Sequence, residues 1–140
     1  MTTSAMIDAI FEYADTMVAG SPALPIFFDG IAVKPPSKPK YLWVQVAPND
    51  TERPGVSFSD TRVHQGVILI NVWWSNGTGM VAPTRAADDV RAHWIDGTRI
   101  EGTGCRIEIN KPPSIRPRVQ EGAAMFVPVA IEYRAVEVSA

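Results

Sequence analysis

The pattern of hydrophobic and polar positions along the chain predicts one long central strand. From Val67 to Trp74 the sequence carries no charge and no proline, and most residues are β-branched or aromatic, which favours a strand. Its two faces would carry Ile68, Ile70, Val72 and Trp74 on one side, and Val67, Leu69, Asn71 and Trp73 on the other. Both faces are mainly apolar. We therefore expect one to be covered by the protein's own helices and the other by a second layer or another subunit.

A second strand is predicted before this one, over Tyr41–Val46, with Leu42, Val44 and Val46 on one face. Pro48-Asn49-Asp50 is expected to end it. Residues Asn49 to His64 are polar and predict a long loop, with a weak strand possible near Val56–Phe58. A short strand is also possible at Ile31–Val33, after an irregular arm whose apolar residues are expected to pack on the first helix.

The last third of the chain predicts a long hairpin. Its first strand alternates Cys105, Ile107 and Ile109 with polar residues, and its return strand runs from Phe126 to Val138. In the return strand the predicted inward residues are Val127, Val129, Ile131 and Tyr133. The alternation slips after Tyr133, which a bulge or a twist there would explain, and Pro128 predicts an edge or bulge at the near end.

Two segments show helical spacing of apolar residues, Thr3–Ala19 and Thr84–Asp96. Gly20 suits the position after the first helix, and Pro83 and Gly97 suit the boundaries of the second. The order helix, strand, strand, helix, strand, strand predicts a single α+β domain over residues 1–140. We expect a mostly antiparallel sheet with two helices packed on one face.

Composition narrows the function classes. The net charge of −2 gives no electrostatic case for reading nucleic acid or binding an acidic membrane. A single cysteine, Cys105, excludes an internal disulfide. No signal peptide and no apolar run long enough to cross a bilayer is visible, so we expect a soluble, intracellular chain.

Reactive residues do not form a convincing site. His64 and His93 fit no metal-ligand spacing, and Cys105 alternates inward with isoleucines. Gly77-Thr78-Gly79 lacks the remaining residues of a phosphate-binding pattern, and Asp88 and Asp89 are neighbours that point apart on a helix. We predict no catalytic residue, no cofactor and no metal.

The candidate functional surface is instead an apolar sheet face. Trp43, Asn71 and Trp73 are predicted to lie away from the helices, on a surface too apolar to remain in water. The connection carrying Arg116 and Arg118 either contacts phosphate or an acidic partner, or is a solvated hairpin tip. The tryptophans could alternatively form a stacking platform for a sugar or single-stranded nucleic acid.

Several segments together resemble the tail terminator (tail-completion) proteins of long-tailed bacteriophages. They are the Tyr41-Leu42-Trp43-Val44 strand, Gln65-Gly66, Val72-Trp73 before Gly77-Thr78-Gly79, Ala86-Ala87-Asp88, Trp94, and Val127-Pro128-Val129-Ala130-Ile131-Glu132-Tyr133-Arg134. The resemblance covers nearly the whole chain.

The resemblance implies a non-enzymatic subunit of a ring, typically of six copies, assembled in the host cytoplasm as part of the virion tail. The ring would sit on the last turn of the tail tube, stop its polymerisation and offer a surface to the head–tail connector. The implied interface residues, in the sheet and the two connections, are Trp43, Arg53, Arg62, Trp73, Arg116 and Arg118. Alternatives are a small-ligand-binding domain or enzyme with a pocket at Gly77–Gly79, and another head–tail joining protein.

Overall fold

The computed structural model describes residues 3–20, 23–30, 40–52 and 63–137, and the side chains of all of these except residues 49–52. The elements in chain order are α1 (Thr3–Ala14), β1 (Ile26–Phe28), β2 (Tyr41–Glu52), β3 (Val63–Ser75), α2 (Val81–His93), β4 (Arg99–Gly102), β5 (Cys105–Glu108), β6 (Ser114–Ile115), β7 (Val119–Glu121) and β8 (Ala124–Glu137). The predicted strands at Ile31–Val33 and Val56–Phe58 lie outside the described residues.

The described strands form one sheet in the order β1-β2-β3-β8-β5-β4, and the short β6 and β7 both pair with β8. Every described pairing is antiparallel except β1 with β2. Two helices and a mostly antiparallel sheet make this the predicted α+β domain. The long strands β3 and β8 pair continuously, from Val63 opposite Val136 to Ser75 opposite Ala124. Both are interior strands of the sheet.

The core lies on one face of the long strands. The fully buried residues include Leu42 and Val44 in β2, Ile68, Ile70 and Val72 in β3, and Val127, Val129 and Ile131 in β8. Ile10 and Ala14 of α1, and Ala87 and Val90 of α2, belong to the same cluster. Period-two alternation in the strands and helical spacing in α1 and α2 therefore converge on a single core, as the apolar pattern predicts.

The helices are bounded differently from the prediction. α1 ends at Ala14 rather than Ala19, because residues 15–17 turn tightly: the N–H of Met17 donates to the Ala14 carbonyl at 3.0 Å. α2 begins at Val81, before Pro83, and ends at His93. A proline is tolerated in the first helical turn because its missing N–H would have no intrahelical acceptor there.

The predicted long loop between β2 and β3 is shorter than expected. β2 continues past Pro48 to Glu52, and β3 starts at Val63, with a register shift between Pro48 and Thr51. Backbone pairing continues across polar residues because it does not depend on apolar side chains. The pattern of side chains therefore underestimates the length of both strands.

The two predictions about β8 have different outcomes. The register with β3 runs without a shift, so no bulge follows Tyr133; the fully buried Ala135 continues its parity. The prediction for Pro128 is confirmed: the register shifts by one residue between β6 and β7, so that Arg116 and Pro117 together lie opposite Pro128, as at a bulge. The Pro128 carbonyl accepts the Arg116 N–H at 2.8 Å, so its ring nitrogen faces the same side, where the ladder passes from β6 to β7. This break needs no N–H from Pro128.

Candidate functional site

The sheet face opposite the core carries a cluster of five aromatic residues, Phe27, Tyr41, Trp43, Trp73 and Phe126, which we call the aromatic face. Strand pairing places them together: Phe27 is opposite Trp43, Tyr41 is opposite Trp73, and Trp73 is opposite Phe126. The face thus spans four neighbouring strands, β1, β2, β3 and β8.

The rings touch in a continuous series. Phe27 meets Tyr41 edge-on with centroids 5.4 Å apart, Tyr41 stacks on Trp73 at 5.8 Å, and Trp73 meets Phe126 at 4.6 Å. Aromatic pairs at such distances stabilise the sheet by about 0.5–1.5 kcal/mol each beyond the area that they bury. These contacts hold the aromatic face in place without covering it.

Coverage of the aromatic face is incomplete within one protomer. Tyr41 is 7% exposed, whereas Phe27, Trp43, Trp73 and Phe126 are only half-buried. Half-buried Leu69 and Pro128 extend the same surface. Contiguous apolar patches are typical of surfaces through which proteins contact other molecules, so the aromatic face is the candidate site.

The other half of this sheet face is charged. Arg106 Nε lies 3.0 Å from Glu101 Oε1, and Lys111 Nζ lies 3.1 Å from Glu132 Oε2. Glu101, Lys111 and Glu132 are mostly exposed and Arg106 is 40% exposed, so each pair adds little to stability. These charged pairs keep their half of the sheet face hydrated. The apolar surface is therefore confined to the half formed by β1, β2, β3 and β8.

The electrostatic surroundings of the aromatic face include one carboxylate. Burial, and after it the negative charge of Glu121, raises the pKa of Tyr41 above its ordinary value. Glu121 is in β7 and pairs with Ala124, which in turn pairs with Ser75 of β3. It therefore lies just beyond Trp73 and Phe126, at the end of the aromatic face.

The structure brings together only some of the predicted interface residues. Trp43 and Trp73 both belong to the aromatic face. Arg116 lies at its border, where its backbone N–H binds Pro128. Arg118 turns away: its Nη1 lies 3.9 Å from the sulfur of Met125, a core residue. Arg53 and Arg62 lie outside the described residues.

The sequence reasoning did not select Phe27, Tyr41 and Phe126 as site residues. Two of them carry a usable signal. Tyr41 has the parity of Trp43, and Phe126 has the parity of the outward-facing Glu132. Phe27 carries no such signal, because its strand has three residues and exists only through its parallel pairing with β2.

The two residues most suggestive of chemistry have structural roles. His93 Nε2 lies 3.1 Å from Thr16 Oγ1 and 3.1 Å from the Tyr13 carbonyl oxygen, and the Tyr13 hydroxyl donates to the His93 carbonyl at 2.6 Å. His93 thus ties the end of α2 to the end of α1. Cys105 is buried in the core, and burial raises the pKa of its thiol, which makes it a poor nucleophile.

The acidic pair on α2 does not form a site either. Asp88 is exposed, while Asp89 Oδ2 accepts the Gly20 N–H at 3.0 Å. Among the described residues, no group of three or more histidine, cysteine, aspartate or glutamate side chains could hold a metal ion. No helix within the described part of the chain is long and apolar enough to cross a membrane.

The glycine turn does not form a pocket with the tryptophans. Gly77 and Gly79 line a depression of about 210 Å³, below the roughly 300–1,000 Å³ of typical ligand pockets. Trp74 lines a separate groove of about 790 Å³ between α2 and the chain before β1, with Lys40 Nζ 4.9 Å above its ring. Trp94 is fully buried. Residues 21–22 and 31–39, which flank this groove in sequence, lie outside the described residues.

The fold and this surface together define a class of protein: a small α+β domain whose aromatic sheet face is only half covered. A sequence model of the family described as phage tail terminator protein matches residues 5–133. The chain therefore belongs to the phage tail terminator family, a family of structural tail proteins, and this membership implies a virion component.

Comparison with solved structures shows that the fold of this chain occurs in another protein. A solved structure whose printed name states no function covers 95% of this chain and 96% of its own, with a TM-score of 0.73 and 21% sequence identity. At this identity the likeness shows a shared fold alone. No curated protein matches the chain.

Proposed function

We propose that this protein terminates the tail tube of a long-tailed phage or prophage by forming a ring on its last turn. The ring stops tube polymerisation and presents a surface to the head–tail connector protein. Its partners are further copies of itself, the tube protein and the connector, and it assembles in the cytoplasm of the bacterial host. Membership of the family supports the place in the tail.

The observation that carries the ring is the half-covered aromatic face. Four of its five residues are half-buried in a single protomer, and burying apolar surface is favourable by about 25 cal/mol per Å². We propose that a second copy of the chain covers the aromatic face. The family's place in the tail supports this choice, because tail-tube ends are built from repeated subunits. Six copies is the number that we propose.

The proposed arrangement places both helices on the core face of the sheet. The shared buried cluster of α1, α2 and the long strands supports this arrangement. It leaves the opposite face available to neighbouring copies. The role needs no catalytic group, cofactor or metal.

Substitution of Trp73 tests the ring. Trp73→Glu places a carboxylate in the centre of the aromatic face, and we expect the parent protein to assemble and this variant to remain monomeric in gel filtration with light scattering. Gln65→Glu is the matched control, since Gln65 lies on the same face of β3 opposite Arg134, away from the aromatic face. It should assemble like the parent.

A tube assay tests termination itself. Purified tube protein is polymerised with and without this protein, and tube lengths are measured by electron microscopy. We expect short, capped tubes with the parent and with Gln65→Glu, and uncapped tubes with Trp73→Glu. A parent protein that stays monomeric at high concentration and does not bind tube ends would contradict the proposal.

A further inference from the structure

A second apolar surface lies at the beginning of α2, formed by Met80, Val81 and Ala82, which we call the α2 start. All three are exposed, Met80 to 40% and Val81 to 66%. Val81 faces a shallow depression of about 290 Å³ shared with Thr84, Arg85 and others. Three consecutive exposed apolar residues are unusual on a helix end that faces water.

The α2 start is also uncapped. Its N-cap residue is Met80, which makes no side-chain capping bond, and the first turn contains no acidic residue. Ser, Thr, Asp and Asn strongly dominate this position, because the first helical N–H groups need an acceptor. Here no side chain of the described residues supplies it as a cap. The helix end therefore offers unpaired donors and a partial positive charge.

Positive side chains lie beside the α2 start. Arg85 is one turn along the helix and lines the same depression, whereas Arg118 lines the neighbouring depression of about 210 Å³ together with Met80. Asp88 also borders the surface, so two arginines and the helix dipole outweigh one carboxylate. A complementary partner would combine apolar surface with a negative group.

The aromatic face has this combination at its Glu121 end, away from the border at Pro128 where Arg116 lies. Its apolar rings end at Glu121, which is exposed and lies in the strand next to Phe126 and beyond Trp73. A closed ring of more than two copies needs two different surfaces on each subunit. The α2 start is on the helix side, since α2 contributes Ala86, Ala87 and Val90 to the core, and the aromatic face is on the opposite side of the sheet.

We propose that the α2 start of one copy packs on the aromatic face of the next, with Glu121 of that face accepting hydrogen bonds from the uncapped N–H groups of α2. This inference rests on the proposed ring and deepens it. Packing of one aromatic face on another would instead close a two-fold dimer and leave the α2 start bare.

Two aspartate variants separate this contact from general effects of charge. Val81→Asp should raise the concentration for half-assembly at least about tenfold. It should leave the protomer folded, because an acidic residue in the first turn favours a helix. Val18→Asp is the matched control, since Val18 is 73% exposed and belongs to neither surface; its assembly should be unchanged. Equal assembly of Val81→Asp and the parent, or equal disruption by both variants, would overturn the inference.

Crosslinking tests which surfaces meet. Val81→Cys and Val119→Cys chains, each full length, are co-expressed and treated with a short bismaleimide; Val119 is exposed beside Phe126, and native Cys105 is buried. We expect a covalent dimer from the mixture and none from either variant alone. A Val18→Cys and Val119→Cys mixture should give none.

The outcomes distinguish the two proposals. A parent protein that forms rings while the Val81→Cys and Val119→Cys mixture fails to crosslink would overturn this inference and leave the ring. A dimer from Val81→Cys alone, or from Val119→Cys alone, would indicate like surfaces meeting and would also overturn it. A monomeric parent that does not bind tube ends would overturn the ring itself.

Discussion

Gly66 shows how one backbone position constrains the centre of the sheet. A Cβ at this residue would lie 2.6 Å from the Ala47 carbonyl oxygen and 2.6 Å from the Tyr133 hydroxyl. Both neighbours are fixed, one being backbone and the other a buried ring. The glycine is therefore required by close approach, not by a left-handed backbone.

We predict that Gly66→Ala lowers the free energy of unfolding by about 2–3 kcal/mol, through overpacking. Gly77→Ala is the comparison, because Gly77 has open space around it but a φ of +87°; its cost should be about 1 kcal/mol. Urea unfolding of both variants checks the ranking. Equal costs would mean that β2 and β8 move apart easily.

Tyr133 makes stability depend on alkaline pH. Its hydroxyl has no hydrogen-bond partner in the described structure, and burial raises its pKa to about 12 from an ordinary value of 10.0. The fold favours the neutral hydroxyl, so this stabilisation is complete below pH 10. It is lost as the pH rises towards 12, because the unfolded chain ionises first.

We predict that Tyr133→Phe removes this part of the alkaline loss, which is roughly 1–1.5 kcal/mol in the parent at pH 11 and rises to roughly 2–3 kcal/mol above pH 12. At neutral pH the variant should be equally stable or more stable by about 1 kcal/mol, since an unsatisfied buried hydroxyl is deleted. Urea unfolding of both chains at pH 8 and pH 11 measures the difference. Parallel losses in the two chains would contradict the assignment.

At the scale of elements, the ends of the two helices are held by one junction. His93 contacts Thr16 and the Tyr13 carbonyl, the Tyr13 and His93 rings lie 4.4 Å apart, and Trp94 Nε1 donates to the sulfur of Met17 at 3.1 Å. α1 and α2 are therefore joined by side chains as well as through the core.

We predict that His93→Ala lowers the free energy of unfolding by about 1–2 kcal/mol, through loss of the polar contacts and the ring packing. Arg91→Ala is the control, because Arg91 is exposed on the same helix and should change stability by less than about 0.5 kcal/mol. Thermal or urea unfolding distinguishes them. A neutral His93→Ala would show that the core alone aligns the helices.

The long elements and the short β5 could be predicted from sequence, whereas the other short strands could not. β2, β3 and β8 follow period-two alternation that is strong enough to fix which residues face the core. The pattern does not predict β1, β4, β6 or β7, because two to four residues carry too little pattern by themselves; β5 is recognisable because its alternation continues beyond the strand to Ile109. These strands form because a long neighbour supplies their hydrogen bonds, and that information lies elsewhere in the chain.

At the scale of the molecule, the aromatic face gives assembly an optical signal. Trp43 and Trp73 are half-buried in the protomer, whereas Trp94 is fully buried. Covering the aromatic face should shift tryptophan emission to the blue and reduce acrylamide quenching as protein concentration rises. Trp74 is on the other side of β3, outside the aromatic face.

We predict that the double variant Trp43→Phe and Trp73→Phe loses this concentration dependence, while Trp74→Phe retains it. Emission spectra recorded alongside light scattering check both. A parent protein whose emission stays constant across the concentrations at which it assembles would show that another surface is buried.

The candidate surface was partly predictable for the same reason as the fold. Strand parity put Trp43 and Trp73 on the outer face, because each is embedded in a long apolar run. The different orientation of Arg118 could not be read from charge pattern, since it depends on how β7 turns back against Met125. Charged residues in short connections give no parity signal.

The position of β8 in the chain has a consequence for synthesis. This strand pairs with β3, β5, β6 and β7, yet it is made last. At roughly 5–20 residues per second, a ribosome needs about 3–12 s to proceed from the end of β3 to the end of β8. Throughout that interval the hydrophobic strand β3 lacks its neighbour β8. Completion of the sheet in the nascent chain therefore competes with aggregation. A host chaperone that shields the emerging β2–β3 segment would therefore raise the yield of this protein more than its modest size suggests.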